Sequence, residues 1–295
     1  MLVGCRALSD QPNAEREPDG RPLVVTTFTV LADMARQVAG DRLRVHSITR
    51  IGAEVHGYEP SPADIKAAEG AALIVANGLG LERWATRFLA AAGAVPTVTL
   101  SEGITPLPIS DDAAAGQPNP HAWMSPRRAQ IYVDRLVEAF SQLDPVGAGQ
   151  YSANGTAYKA RLAQLDTDLR QTVAQLPLAH RLLVTCEGAF SYLARDYGLQ
   201  EAYLWPVNGE RQITPRRMAR LIDTVQGRRV PAVFCESTVS DGAMRQVARA
   251  GGARFGGTFY VDSLSGPEGP APTLLDLQRH NVTLIMKGLS GGNQP

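Results

Sequence analysis

The chain has 295 residues, 44% of them hydrophobic and 20% charged. That is ordinary for a globular protein long enough to build two compact domains, each with its own core. Lys plus Arg and Asp plus Glu both number 29, so no net field argues for nucleic acid or an anionic membrane surface as a partner. No apolar run reaches the ~20 residues of a membrane-spanning helix.

At the start, Leu2-Val3-Gly4-Cys5 has the form of a bacterial lipobox, in which a peptidase cuts ahead of a cysteine that then carries lipid. The polar, Pro- and Gly-containing stretch Ser9 to Arg21 would serve as a tether. The charged and apolar regions of a signal peptide are missing, so the expectation is that Met1 lies inside a longer precursor and that residues 1–21 are lipobox remnant and tether. The basic residues are nearly all Arg, with Lys66, Lys159 and Lys287 the exceptions. Their scatter reads as compositional bias, not as a phosphate site.

From residue 22 to 143, strand-like and helix-like runs alternate. Strands are expected at Leu23–Thr27, Arg44–Thr49, Ala72–Ala76 and Val95–Leu100, and helices at Val30–Val38, around Pro62–Glu69 and at Glu82–Ala92. This alternation indicates a parallel sheet flanked by helices. A loop rich in Pro, Ala and Asp, Ile104–Pro120, precedes a helix over Pro126–Leu143, with Ser125 as its N-cap and Pro in the first turn.

Over 144–177 the pattern changes. Tyr151, Tyr158, Leu162, Leu165, Leu169 and Val173 recur at helical spacing with no strand between them. They predict one helix of about 30 residues, roughly 45 Å long, a stiff rod rather than a hinge. Residues 178–295 resume the alternation, with strands at Arg181–Thr185, Ala202–Trp205, Ala232–Cys235 and Arg254–Tyr260. Helices are expected at Ala189–Tyr197, Pro215–Val225, Gly242–Ala250 and Thr273–Leu289. The predicted fold is α/β: two lobes, each a parallel sheet flanked by helices, joined by one long rigid helix with a cleft between them.

Four residues placed just after strands stand out: His56, His121, Glu187 and Asp262. In open α/β folds ligands gather beyond the carboxyl ends of strands. Two neutral imidazoles and two carboxylates match a divalent ion in charge. The chain has five His; His46 is expected within a strand, His180 ahead of one and His280 in the last helix. A carboxylate at a strand end can instead cap the next helix. Glu236, at the end of a neighbouring strand, is either a rival ligand or an acceptor orienting an imidazole N–H. Asn208, Glu210 and Arg211 are candidates to line the cleft mouth, and Glu54 is expected to face solvent.

The phrases His-Gly-Tyr-Glu-Pro-Ser-Pro-Ala-Asp, Asn-Pro-His-Ala-Trp-Met-Ser-Pro, Cys-Glu-Gly-Ala-Phe-Ser-Tyr-Leu-Ala and Cys-Glu-Ser-Thr-Val…Tyr-Val-Asp-Ser-Leu-Ser occur in this order. They resemble the metal-binding lipoproteins of manganese/zinc/iron ABC importers over about Pro22 to Leu289. The resemblance implies that the residues matching His56, His121, Glu187 and Asp262 bind the ion between the lobes. It also implies capture outside the cytoplasmic membrane by a monomer anchored through lipid on Cys5, and delivery to a permease driven by an ATP-binding subunit. In the family's zinc branch a third His typically stands where this chain has Glu187, and a His-rich loop often precedes the Asn-Pro-His motif. Here Ile104–Pro120 contains no His. Zinc prefers nitrogen and sulfur ligands, so Mn(II) is the expected ion, with Zn(II) or Fe(II) as alternatives. Zn(II) should still bind more tightly than Mn(II) in raw affinity.

Cys186 precedes Glu187 and Cys235 precedes Glu236, both expected at strand ends in one sheet. A disulfide is expected there, against two buried thiols or a thiolate site for a softer metal. A metalloenzyme is the competing function, since His₂-carboxylate sites also activate water or oxygen. It would need an open coordination position and a placed base, and no HExxH or GxSxG motif supplies one. Nothing in the residues supports a third reading, a surface adhesin.

Overall fold

The computed structural model describes residues 20–93, 95–110, 115–207 and 213–290. The first half holds β1 (Leu23–Thr26), α1 (Thr29–Ala39), β2 (Arg44–Ser47), α2 (Pro62–Ala68), β3 (Leu73–Ala76), α3 (Ala85–Ala92), β4 (Thr97–Thr99) and α4 (Pro126–Leu143). Its strands pair in parallel in the order β2-β1-β3-β4. β1 and β3 are almost wholly buried, as apolar runs covered on both faces by helices should be. α2 starts with a capping box: Ser61 Oγ accepts the N–H of Asp64, and the Asp64 carboxylate accepts the N–H of Ser61.

α5 (Ala148–Ala174) is the connecting helix. Its 27 residues span about 40 Å. It is shorter than its apolar periodicity suggests because Pro145 opens a separate short 3₁₀ turn, Pro145–Gly147. The Asp144 carboxylate braces that corner by accepting from Arg42 Nε and Tyr151 Oη, each at 2.7 Å. The buried stripe of α5 packs on α1 and α4 from one half and on α6 and α9 from the other. Gly155 lets α4 approach closely: a Cβ there would lie 2.4 Å from Val137 Cγ2.

The second half contains β5 (Leu182–Glu187), α6 (Ser191–Tyr197), β6 (Gln200–Trp205), α7 (Pro215–Gly227), β7 (Ala232–Glu236), α8 (Gly242–Gly251), β8 (Arg254–Phe259) and α9 (Leu274–Leu289). Here the expectation of one sheet needs refinement. The strands form two parallel ladders, β5-β6 and β7-β8. β5 and β7 lie side by side, and a Cys186–Cys235 disulfide joins them with Cα atoms 4.8 Å apart.

The expectation of two separate cores is also corrected. One continuous apolar cluster runs from Val24 and Phe28 through Trp123 and the α5 stripe to Phe234 and Leu289, and only a small satellite lies under α2 and α3. A helix buried against both halves merges their interiors. No helix among the described residues is long and apolar enough to cross a membrane.

Candidate metal centre

All four singled-out residues meet at the carboxyl ends of the strands. His56 lies in the loop after β2 and His121 in the loop after β4; Asp262 follows β8. Glu187 differs from expectation: it is the last residue of β5 itself and still pairs with β6, opposite Trp205. Their exposures are 8% for His56, 0% for His121, 3% for Glu187 and 2% for Asp262, so the site is enclosed.

His56 Nε2 stands 3.2 Å from Glu187 Oε1, 3.6 Å from Asp262 Oδ2 and 3.3 Å from His121 Nε2. His121 Nε2 is 4.0 Å from Glu187 Oε1 and 3.7 Å from Asp262 Oδ1. One ligand atom from each residue falls within 4.8 Å of all the others. Four donors at ~2.1 Å from a tetrahedral ion would be roughly 3.4 Å apart, so the spacing suits one ion. The two oxygens of Asp262 face different imidazoles, an orientation from which a carboxylate can chelate.

The electrostatics are those of a cation site. Burial pulls His56 down, but the carboxylates of Glu187 and Asp262 overcome it and push the imidazole up to about 9. His121 goes the other way: burial drags it to about 3, Glu187 opposes this and the charge of His56 reinforces it. Burial also raises the Asp262 carboxyl, which His56 opposes and Glu187 reinforces. Without an ion the cluster therefore carries a proton at His56, while His121 stays neutral with an imidazole free to ligate.

The neighbours of His121 explain its readiness. Asn119 Oδ1 accepts the backbone N–H of His121 and faces its Nδ1, both at 3.0 Å. The Asn119 amide is oriented by its own donation to Gly188 O at 2.7 Å and Ser191 Oγ at 3.2 Å. With that oxygen as acceptor, His121 carries its hydrogen on Nδ1 and turns the Nε2 lone pair to the cleft. Asn119 was not among the residues picked from the sequence, although its place two residues before His121 was a signal. Gly188 must be glycine, because a Cβ there would lie 2.6 Å from Pro206 O.

Further bonds tie the halves behind this edge. Tyr192 Oη donates to Asn119 O at 2.7 Å and accepts the N–H of Leu107 at 3.1 Å. The Arg128 guanidinium grips Asp196 through two bonds of 3.0 and 3.1 Å. Ser125 is the N-cap residue of α4, but its hydroxyl makes no cap bond; it donates to Asp196 Oδ2 at 2.6 Å. Tertiary contact has taken over a residue whose local role was to cap.

Asp262 sits in a strap of the second half that is pinned to the first. Trp123 Nε1 donates to Val261 O, Gly52 N to Ser263 Oγ, Leu264 N to Thr29 Oγ1 and Leu274 N to Asp33 Oδ2. His56 is held more lightly. Glu54, expected in solvent, is half-buried and accepts the N–H groups of His56 and Gly57 at 2.5 and 2.7 Å. Trp84 Nε1 donates to Val55 O at 2.7 Å. The Nδ1 of His56 has no hydrogen-bond partner among the described residues.

Glu236 does not orient an imidazole. Its Oε2 accepts the N–H of Glu187 at 3.2 Å while Oε1 lacks a partner among the described residues, and burial with the nearby Glu187 charge holds its carboxyl well above the usual range. The disulfide occupies both sulfurs of Cys186 and Cys235, which removes the alternatives of free thiols and a thiolate metal site. Asn208, Glu210, Arg211 and Cys5 lie outside the described residues.

With this geometry in place, residues 24–288 match the family model of the zinc-uptake complex component A, periplasmic. The chain is 47% identical over 265 residues to the iron-binding protein YfeA of Yersinia pestis, covering 90% of this chain and 85% of that one. It is 34% identical over 291 residues to the manganese-binding lipoprotein MntA of Halalkalibacterium halodurans, covering 98% and 95%. The structure of a Mn-bound periplasmic metal binding protein from Candidatus Liberibacter asiaticus superimposes with a TM-score of 0.83 at 34% identity. That match covers 91% of this chain and all of the other.

Proposed function

This chain belongs to the periplasmic zinc-uptake component A family, and within it we propose that the protein captures Mn(II) with His56, His121, Glu187 and Asp262. It is a metal-binding solute-binding protein of an ABC importer and works outside the cytoplasmic membrane. Its cargo passes to a permease driven by an ATP-binding subunit. The lobes are taken as residues 22–143 and 178–295, with 144–177 as the connecting helix. The protein acts as a monomer tethered through lipid on Cys5, with residues 1–21 as lipobox and tether.

The single observation behind the metal assignment is the enclosure of four converging donors, two imidazole nitrogens and two carboxylates, with Glu187 supplying an oxygen within 4.0 Å of both imidazoles. Oxygen-rich donor sets suit Mn(II) better than the nitrogen and sulfur sets that zinc prefers. Manganese-binding relatives support the same choice. Fe(II) is the second reading, and the observation in its favour is the 47% identity to a protein named as iron-binding. Raw affinity will follow Zn(II) over Mn(II), so selection for Mn(II) rests on productive release to the permease.

Binding, not catalysis, follows from the same enclosure. A catalytic metal keeps an open position and a placed base, whereas here four buried groups surround the ion's place. Elemental analysis of native protein purified without chelators, followed by competition among Mn(II), Fe(II) and Zn(II), tests the choice. Protein carrying only zinc, with transport in cells following zinc, would overturn it.

A further inference from the structure

Glu201 does not touch the metal site, yet it ends a polar path that leads into it. It lies on β6, paired with Leu183 of β5, the strand that ends in Glu187. The residue lines a surface cavity, while its carboxylate is engaged by the turn after Glu187. Oε1 accepts the N–H of Phe190 at 2.9 Å and Oε2 the hydroxyl of Ser191 at 2.6 Å. Ser191 Oγ receives the Asn119 amide at 3.2 Å, and Asn119 Oδ1 faces His121 Nδ1 at 3.0 Å.

The donor sense of each link follows from the first. An ionised carboxylate only accepts, so Ser191 gives it its one hydrogen and keeps its lone pairs for the NH₂ of Asn119. The Asn119 oxygen is then left for His121, whose hydrogen stays on Nδ1 and whose Nε2 faces the cleft. Bonds in such a chain polarise one another. Glu201 also fixes the turn after Glu187, since both its partners lie within 188–191.

We propose that Glu201 is a positioning residue for metal retention, acting through Ser191 and Asn119 on His121 and through the Phe190–Ser191 turn on Glu187. The proposal rests on the assignment of His121 and Glu187 as metal ligands. Asn119 is also held by Gly188 O, so removal of Glu201 weakens the hold without abolishing it.

The path is sensitive to protons. A protonated Glu201 becomes a donor; Ser191 Oγ would then receive hydrogens from both sides and lose the acceptor for its own. Burial pushes the Glu201 carboxyl up to about 7, opposed by its bonds to Ser191 and Phe190 and reinforced by Glu187 on β5. From α7, Arg217 and Arg220 face the same cavity of about 320 Å³, with Tyr203 of β6 and Ser110. The Arg217 guanidinium donates to Leu204 O. Glu201 is thus poised to change state near neutrality, away from the ligands themselves.

The test uses Mn²⁺ alone as probe, with affinity from calorimetry and release rate from chelator competition, at about pH 6 and about pH 8 on either side of the Glu201 transition. At the higher pH, Glu201→Gln and Ser191→Ala release Mn²⁺ about tenfold faster than wild type, the lower end of what outer partners of a metal ligand contribute. At the lower pH, where wild-type Glu201 is itself protonated, the gap closes. In an Asn119→Ala background Glu201→Gln adds nothing, because the path is already cut. Wild-type release by Glu201→Gln, a gap equal at both pH values, or full additivity with Asn119→Ala would each overturn the proposal. Ser191→Ala carries the test if a melting curve finds Glu201→Gln unfolded. A wild type that binds no Mn²⁺ overturns the metal assignment itself, a result distinct from the others.

Discussion

The two histidine loops offer the same ligand atom in different states of preparation. His121 is 0% exposed; its Nδ1 faces Asn119, and its loop is bound across the halves through Gly188, Ser191 and Tyr192. His56 has an Nδ1 without a partner among the described residues, and its loop is held through backbone groups by Glu54 and Trp84. Under the proposed ligand assignment, one imidazole is preset as a neutral ligand; the other must give up a proton and settle its ring when the ion arrives. Organisation established before binding lowers the ordering cost of binding. The His121–Glu187 edge therefore acts as the fixed half of the site and His56 as the half that completes it.

The largest test removes a ligand from the fixed edge. Glu187→Ala is expected to weaken Mn(II) binding beyond 100-fold by calorimetry, since outer partners alone typically contribute about 10–100-fold. An unchanged affinity would end the ligand assignment and the comparison with it. Asn119→Ala comes next, with about 10–100-fold weaker binding. Its counterpart on the other loop, Trp84→Phe, keeps an aromatic ring against Tyr58 and Phe88 but loses the bond to Val55 O. It is expected to change affinity by only about threefold, because it acts on a backbone carbonyl and not on the imidazole. Equal effects would erase the distinction between the loops.

Acidity sharpens the contrast. His56 is raised to about 9 in the ion-free protein, so binding below that pH expels its proton. Mn(II) affinity should rise at least about tenfold per pH unit from neutrality toward 9, with one proton from His56 and a further share from the raised Asp262 carboxyl released per ion. Calorimetry in buffers of different ionisation enthalpy counts those protons. In His56→Ala the slope should flatten, whereas His121, already neutral, contributes none of it.

The disulfide gives a small effect on affinity and a clear one on stability. It closes a separation of 49 residues, which corresponds to about 2–4 kcal/mol. Cys186→Ser with Cys235→Ser should lower the unfolding free energy by that order in denaturant titration. Mn(II) affinity should fall severalfold if the bond also steadies Glu187; unchanged affinity would confine its role to stability.

Much of this was legible in the chain itself. Alternating apolar runs and helical periods gave the order of the elements, because burial of a strand or a helix face writes its period into the sequence. The α4 bounds, the α5 stripe and the convergence of four candidate ligands were also legible, the candidates because His is scarce here and the motifs occur in order. What misled was local logic applied to tertiary positions. Ser125 does hold the cap position of α4, but its hydroxyl bonds Asp196 in place of the helix; Glu54 looked solvent-facing and folds back on His56; Glu236 looked like a partner for an imidazole and holds the Glu187 amide.

The sequence by itself determined the α/β order, the long helix and the donor types, since these depend on side-chain chemistry and short-range periodicity. Only the tertiary structure decided that the cores merge along α5, that the second half splits into two ladders joined by a disulfide, and which imidazole is held in place. Those features rest on contacts between residues far apart in the chain, such as Asn119 with Gly188 and Thr29 with Leu264. Hydrogen-bond direction and close packing at such distances are set by where the backbone brings groups together, and no local pattern records it.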